Sequence, residues 1–177
     1  MKEAKVLFLG AAESGKSTLC RQIRILHGYK FSDEEIRHFK HYIRFSCLEH
    51  LITIIKGYLD DTEYQGTHGY KDMVEFLEQY KGKKDFERSY LNKAITIWRI
   101  SALQKFMLAS VRPMGIPSIV PPKRLHADNP ASHFLPSLSR ILAKGYNPTM
   151  EDILSVRIPT SGKFTFSQVT AYEPETQ

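Results

Sequence analysis

The strongest constraint on this 177-residue chain is a short loop near its start, Gly10-Ala11-Ala12-Glu13-Ser14-Gly15-Lys16-Ser17. It matches G-x-x-x-x-G-K-[ST] in full, a spacing that lets a loop wrap phosphates with its own backbone N–H groups. Those groups and a following helix N-terminus concentrate positive potential on an anion. In such a loop Gly15 permits the tight turn, Lys16 reaches the outer phosphates as a point charge, and Ser17 ligates Mg²⁺. A chain of this length meets the pattern by accident on the order of once in a hundred times. Its surroundings also fit. The apolar run Lys5 to Leu9 reads as a buried strand closed by Gly10. Gly15 to His27 carries Leu19, Ile23 and Leu26 at helical spacing, with Gly28 as a helix stop. The alternative for the same residues is an ordinary glycine turn with a surface lysine.

Ser32 opens a second helix, with Glu35 three residues on as a capping box and Asp33 and Glu34 in the first turn. Ile36, Phe39, Ile43, Cys47, Leu51 and Ile55 then form one apolar stripe, and the pattern runs unbroken to about Tyr58. So long an amphipathic helix needs packing partners. The candidates are Lys71 to Tyr80, with Val74 and Leu77 inward, and Phe86 to Val111, with Leu91, Ile95, Trp98 and Leu103. The middle of the chain thus reads as an all-helical bundle. Six of the nine prolines fall between Pro113 and Pro136, so no single regular helix crosses that stretch. Asn129-Pro130 starts a helix reaching about Lys144, kinked or weakened at Pro136 and ended by Gly145 and Pro148. Thr149 to Leu154 gives one more helical turn, and Lys163 to Thr170 alternates like an edge strand.

Composition narrows the class. The chain is 42% hydrophobic and 25% charged, which excludes a disordered tail, a collagen-like repeat and a disulfide-packed miniprotein. Its fully apolar stretches fall far short of the roughly 20 residues that span a bilayer. The N-terminal apolar run continues straight into the glycine loop, and Lys2 follows Met1, so neither a signal peptide nor myristoylation is expected. Cys20 and Cys47 have no metal-ligand spacing and point to a reducing cytosolic setting. The formal charge of +6 is spread along the chain among acids, its longest basic cluster being Lys81, Lys83 and Lys84. That distribution reads as a solvated surface, with no nucleic-acid partner. His38 with His41 reads as a surface pair, and Asp60-Asp61 and Glu34-Glu35 as helix-end acids.

The run Val6 to His27, VLFLGAAESGKSTLCRQIRILH, resembles the first strand, loop and helix of heterotrimeric G protein alpha subunits. The Glu-Ser within the loop and the basic helix ending in His are characteristic of that family among GTPases. The bundle resembles the helical domain that the family inserts after its first helix, best around Ala94 to Phe106. A second match is Asn147-Pro148-Thr149-Met150-Glu151-Asp152-Ile153-Leu154-Ser155-Val156-Arg157-Ile158-Pro159-Thr160-Ser161-Gly162. It resembles the first switch segment, P-T-x-x-D-x-L-x-x-R-x-x-T-[ST]-G. By that resemblance Arg157 is an arginine finger supplied in cis, and Thr160 joins Ser17 on Mg²⁺ and senses the γ-phosphate. The nucleotide site it implies comprises Gly10, Ala11, Ala12, Glu13, Ser14, Gly15, Lys16, Ser17, Thr18, Leu154, Arg157 and Thr160, holding GTP or GDP. Read without the resemblance, Arg157 is a surface arginine and Thr160 an edge-strand threonine.

The implied fold is mainly α, a helical-bundle insert attached to an incomplete P-loop GTPase α/β core. Residues 1–31 are the core's strand, loop and helix, 32–147 the helical insert, and 148–177 the linker, first switch and start of a second core strand. The resemblance implies a G protein βγ dimer and a G protein-coupled receptor as partners. It implies a cytoplasmic location reaching the cytosolic face of the plasma membrane, with no direct membrane insertion. The chain resembles only about the first half of such a subunit. No D-x-x-G-Q and no N-K-x-D follow, nor does a βγ-docking, lipid-bearing helix precede the loop. The expectation is therefore a truncated subunit without GTP turnover of its own. Two other readings stand beside it: a non-catalytic helical module that binds signalling partners, and an unrelated P-loop ATPase or kinase, which leaves the Arg157 to Gly162 match unexplained. Ser155 stands where the family often carries a basic residue, and Ala12 replaces a usual glycine. A methyl there crowds the γ-phosphate, the arginine and the attacking water, so binding should survive better than hydrolysis. An Ala12→Gly substitution in a full-length subunit should raise turnover more than nucleotide affinity; unchanged turnover refutes the idea.

Overall fold

A computed structural model describes residues 8–10, 14–61, 66, 68–80, 87–110 and 129–158. Several expectations lie outside the described residues. They are the start of the strand at Lys5, loop residues Ala11 to Glu13, the basic cluster Lys81 to Lys84, the prolines between Pro113 and Pro122, and Thr160 with the strand Lys163 to Thr170. Within the described residues the regular structure is eight α-helices and no strand, so the mainly-α class holds there.

Helix α1, Lys16–Leu26, ends as its glycine suggests. Gly28 has φ 71°, its N–H reaches the Ile25 carbonyl at 3.0 Å, and the Tyr29 N–H reaches that of Arg24 at 2.9 Å. These two bonds satisfy carbonyls that a helix C-terminus otherwise leaves open. Of the expected apolar positions on α1, Leu19 and Leu26 are exposed and Ile23 is half-buried, whereas Arg21 is buried.

Helix α2, Asp33–Asp60, is the axis of the body. The Ser32 Oγ accepts from the Glu35 N–H at 3.2 Å and the Glu35 carboxylate accepts from the Ser32 N–H at 2.8 Å. The predicted stripe is buried from Phe39 through Ile55, and Leu48, Ile52, Ile54 and Tyr58 are buried as well. A helix apolar over so wide an arc must be covered on several sides. It packs against α3 (Tyr70–Tyr80), α4 (Arg88–Trp98), α5 (Ser101–Ser110), α6 (Asn129–Phe134), α7 (Leu138–Ile141) and α8 (Met150–Ser155).

Three sequence expectations are corrected. In α3 the inward residues are Met73 and Phe76, not Val74 and Leu77, which are half-buried. Two adjacent apolar pairs share one spacing, so periodicity cannot choose between them; Phe76 prevails by stacking on Tyr90, rings 4.4 Å apart and 11° from parallel. The segment from Phe86 to Val111 is two helices, because the chain turns at Arg99 and Ile100. There Gln104 donates to the Trp98 carbonyl at 2.9 Å, and a Cβ on Gly69 (φ +86°) would stand 2.4 Å from Ile100 Cδ1. The third is the helix expected to reach Lys144. It breaks around Pro136 into α6 and α7 and ends at Ile141, as the lost backbone donor favours.

Phe134 is fully buried on α6 and lies over the His50 ring at 6.3 Å. Phe134→Ala should cost about 3–5 kcal/mol in urea unfolding, against less than about 0.5 kcal/mol for Leu108→Ala at an exposed site.

Candidate functional site

The loop enters α1 through Gly15, at φ 82° and ψ 3°. A residue with a Cβ adopts that left-handed backbone at a cost of about 1–2 kcal/mol. No atom beyond its chain neighbours stands within 4 Å of a Gly15 Cβ, so the backbone angle rather than space calls for glycine. Lys16 folds back over the loop, its ammonium donating to the Gly10 carbonyl at 2.8 Å and to Ser14 Oγ at 3.0 Å. The first turn of α1 contains no acidic residue, so the positive helix start and Lys16 add to one another. The Leu19 N–H is the donor that reaches back to Gly15; the N–H groups ahead of it have no partner within the helix by construction. Such a turn, with Ser17 and Thr18 half-buried in it, suits an anion.

One and a half turns along α1, Arg21 leaves solvent. Its guanidinium donates to the Ile153 carbonyl at 2.7 Å and to the Val156 carbonyl at 2.8 Å, and lies over the Phe39 ring at 5.4 Å. Burial pulls its pKa below the ordinary arginine value, with Cys20 opposing. Next on the helix, Arg24 grips both carboxylate oxygens of Glu35 and covers the Phe31 ring at 4.5 Å. The hydrogen bond from Arg24 draws the Glu35 carboxyl below its usual pKa, against partial desolvation and aided by Ser32. The basic side of α1 therefore faces the helical body, on α8 and at the start of α2.

Helix α8 begins with a second capping box, in which Thr149 Oγ1 accepts from the Asp152 N–H at 3.1 Å. The Asp152 carboxylate is fully buried and accepts from the Thr149 N–H at 2.9 Å, from Arg140 at 2.8 and 2.9 Å, from the Tyr146 hydroxyl at 2.9 Å and from His133 Nε2 at 3.1 Å. Burial alone would raise its pKa; the bonds from Arg140, Thr149, His133 and Tyr146 outweigh that and hold it well below the usual carboxylate range. Burial, with the Asp152 charge nearby, pushes the Tyr146 hydroxyl up. Burial likewise pushes up the Cys47 thiol, a core group that donates weakly to the Phe134 carbonyl.

Of the residues expected at the site, Gly10, Ser14, Gly15, Lys16, Ser17 and Thr18 lie on the loop and the first turn of α1. Leu154 is half-buried on α8, and Arg157 is exposed two residues beyond it. Ala11, Ala12, Glu13 and Thr160 lie outside the described residues. Helices α1 and α8 pack together, so the loop's helix and the segment leading to Arg157 meet at Arg21. Sequence reading missed Arg21, Arg140, His133, Tyr146 and the roles of Arg24 and Asp152. The T-x-x-D spacing of Thr149 and Asp152 was the one available signal. Among the described residues no cluster of three His, Cys, Asp or Glu is placed to hold a metal. The donors expected for Mg²⁺ are hydroxyls, hard oxygen ligands that suit this ion beside phosphate. A cleft of about 650 Å³ elsewhere, lined by His68, Asp72, Lys93, Arg99 and Ser101, shares no residue with the loop or α8.

The family model described as G-protein alpha subunit matches residues 1–171. Among curated proteins, a guanine nucleotide-binding protein alpha-3 subunit from Caenorhabditis elegans is 32% identical over 165 residues. The match covers 91% of this chain and 43% of the relative, so the chain spans less than half of that protein's length.

The Asp152 network gives a pH signature. Its carboxyl is held below its unfolded pKa of about 3.9. Its stabilisation is thus complete above that value and drains away as pH falls toward the folded pKa, the unfolded chain taking up the proton first. Asp152→Asn should cost about 3 kcal/mol at pH 7, at the low end for a broken buried pair because Arg140 keeps contact with water. The penalty should shrink in urea titrations repeated between pH 5 and 2; an equal penalty at both ends would rule out an ionised Asp152.

Proposed function

This chain belongs to the G-protein alpha subunit family, and from that premise we propose that its loop and Arg157 segment bind the phosphates of GTP or GDP with Mg²⁺. The observation that carries the reading is the start of α1, where the Lys16 ammonium bridges the Gly10 carbonyl and Ser14 Oγ. The backbone N–H groups of the Gly10 to Gly15 loop would hold the phosphates together with those of Lys16, Ser17 and Thr18 at the positive end of α1. The Lys16 ammonium exchanges its loop acceptors for the outer phosphate oxygens. Ser17 and Thr160 would hold Mg²⁺, which neutralises charge on the β- and γ-phosphates when bound. Leu154 would line the nucleotide site, and the Arg157 guanidinium would meet the charge that builds on the γ-phosphate during hydrolysis.

In this reading residues 1–31 and 148–177 belong to the nucleotide-binding core and 32–147 form the helical insert. The partners are a G protein βγ dimer and a G protein-coupled receptor, and the location is the cytoplasm and the cytosolic face of the plasma membrane. Among the described residues no helix is long and apolar enough to cross a membrane. The helical module remains the second reading, favoured by a core that runs from Phe39 to Val156 without α1.

Equilibrium binding of GDP and Mg²⁺–GTPγS to the purified chain separates the two. Lys16→Met should weaken binding about thirtyfold, the equivalent of about 2 kcal/mol for a charge-assisted hydrogen bond, and chelating Mg²⁺ should weaken GTPγS more than GDP. No affinity in a chain with an intact helical signal would instead favour the interaction module. Mg²⁺-dependent single-turnover hydrolysis of GTP would refute the expected lack of turnover.

A further inference from the structure

Arg21 carries a consequence beyond packing. It is 9% exposed, and among the described residues no carboxylate pairs with it. A buried cation satisfied only by carbonyls and an aromatic face is costly, and an apolar side chain of similar volume commonly replaces such a group without loss. What an apolar residue would not supply is direction. The last carbonyls of a helix have no partners within it, and one guanidinium nitrogen of Arg21, Nη1, donates to two of them here, Ile153 and Val156. Val156 is the residue directly before Arg157, and its own N–H is tied to the Asp152 carbonyl at 3.1 Å. The chain therefore leaves α8 at a point fixed from both sides. On the other helix, Arg21 stands five residues after Lys16, about 7.5 Å along α1.

We propose that Arg21 is a positioning residue for Arg157: by clasping the Ile153 and Val156 carbonyls it ties the end of α8 to the helix that starts at the phosphate loop. Arg21 touches neither nucleotide nor reacting atoms. It sets where the Arg157 backbone stands relative to Lys16 and Ser17, so that a change in α1 on phosphate binding is felt at residues 154–158. This coupling rests on the nucleotide reading above, whereas the clasp itself does not.

The test uses the full 177-residue chain, wild type against Arg21→Met and Arg21→Lys, with backbone amide hydrogen exchange as the readout. Without nucleotide, exchange at Leu154 to Ile158 should be at least tenfold faster in Arg21→Met and intermediate in Arg21→Lys, whose ammonium sits one bond short of the nitrogen that serves both carbonyls and has no planar face to lay on Phe39. Exchange around Leu51 in the core of α2 should not change, whereas a general loss of stability would speed both regions. With saturating Mg²⁺–GTPγS, residues 154–158 should be protected in wild type and not in Arg21→Met, while the two affinities stay within threefold. Equal exchange at 154–158 in all three proteins overturns the clasp. Equal protection by nucleotide in wild type and Arg21→Met overturns the coupling and leaves the nucleotide reading intact. If wild type binds no GTPγS, the nucleotide reading falls and the positioning role falls with it, even where the ligand-free exchange shows the clasp. Should Arg21→Met lose its helical signal, Arg21→Lys decides alone, and wild-type behaviour in it overturns the proposal.

Discussion

The buried carboxylate of Asp152 is the interaction on which the C-terminal half of the body depends. A carboxylate with no access to water is unstable unless its lone pairs are taken. Here four side-chain bonds and one backbone bond take them, and they come from α6, α7, the 142–149 turn and the cap of α8 itself. Helices α6, α7 and α8 have six, four and six residues, too short to persist alone. A single charge that each must reach fixes their mutual positions more sharply than apolar contact does. Its position in the chain, five residues before Arg157, links that architecture to the candidate site.

Arginine does matching work at the other ends of these short helices. A helix of one or two turns leaves most of its carbonyls without internal partners. Arg44 donates to the carbonyls of Ile141 and Ala143, Arg88 to that of Leu142, and Arg21 to those of Ile153 and Val156. Arg44 uses two nitrogens of its planar fork, Nε and Nη2, to reach its paired acceptors, a geometry a lysine ammonium does not have. Part of the positive charge is thus internal fastening. The scattered basic residues of the sequence look like a solvated surface because the carbonyls they serve lie 54 to 135 residues away along the chain.

Local patterns were legible where one physical rule governed them. The loop motif, the Ser32 and Glu35 capping box, the Gly28 stop, the stripe on α2 and the break at Pro136 follow from backbone angle, orphan donors or helical period, all of them short-range. Readings failed where neighbours competed: Met73 and Phe76 over Val74 and Leu77, and the turn at Arg99 and Ile100. In the second case Gly69, far upstream in the chain, makes room for Ile100. The inverted face of α1 was hidden for a similar reason. Its leucines have the period of a buried stripe, yet it is Arg21 that finds partners in the helical body.

The sequence by itself determined the family, through two motifs in order around a helical segment, and it determined the helices wherever caps and period agree. It also placed the candidate residues on loop, helix and linker, since spacing along a chain is local information. Tertiary structure alone decided which polar side chains are internal. Asp152, Arg140, His133, Tyr146 and Arg21 are ordinary surface types when read in order. Burial makes Asp152, Tyr146 and Arg21 require partners, and Arg140 and His133, which keep contact with water, serve Asp152 from helices that only the fold brings within hydrogen-bonding distance.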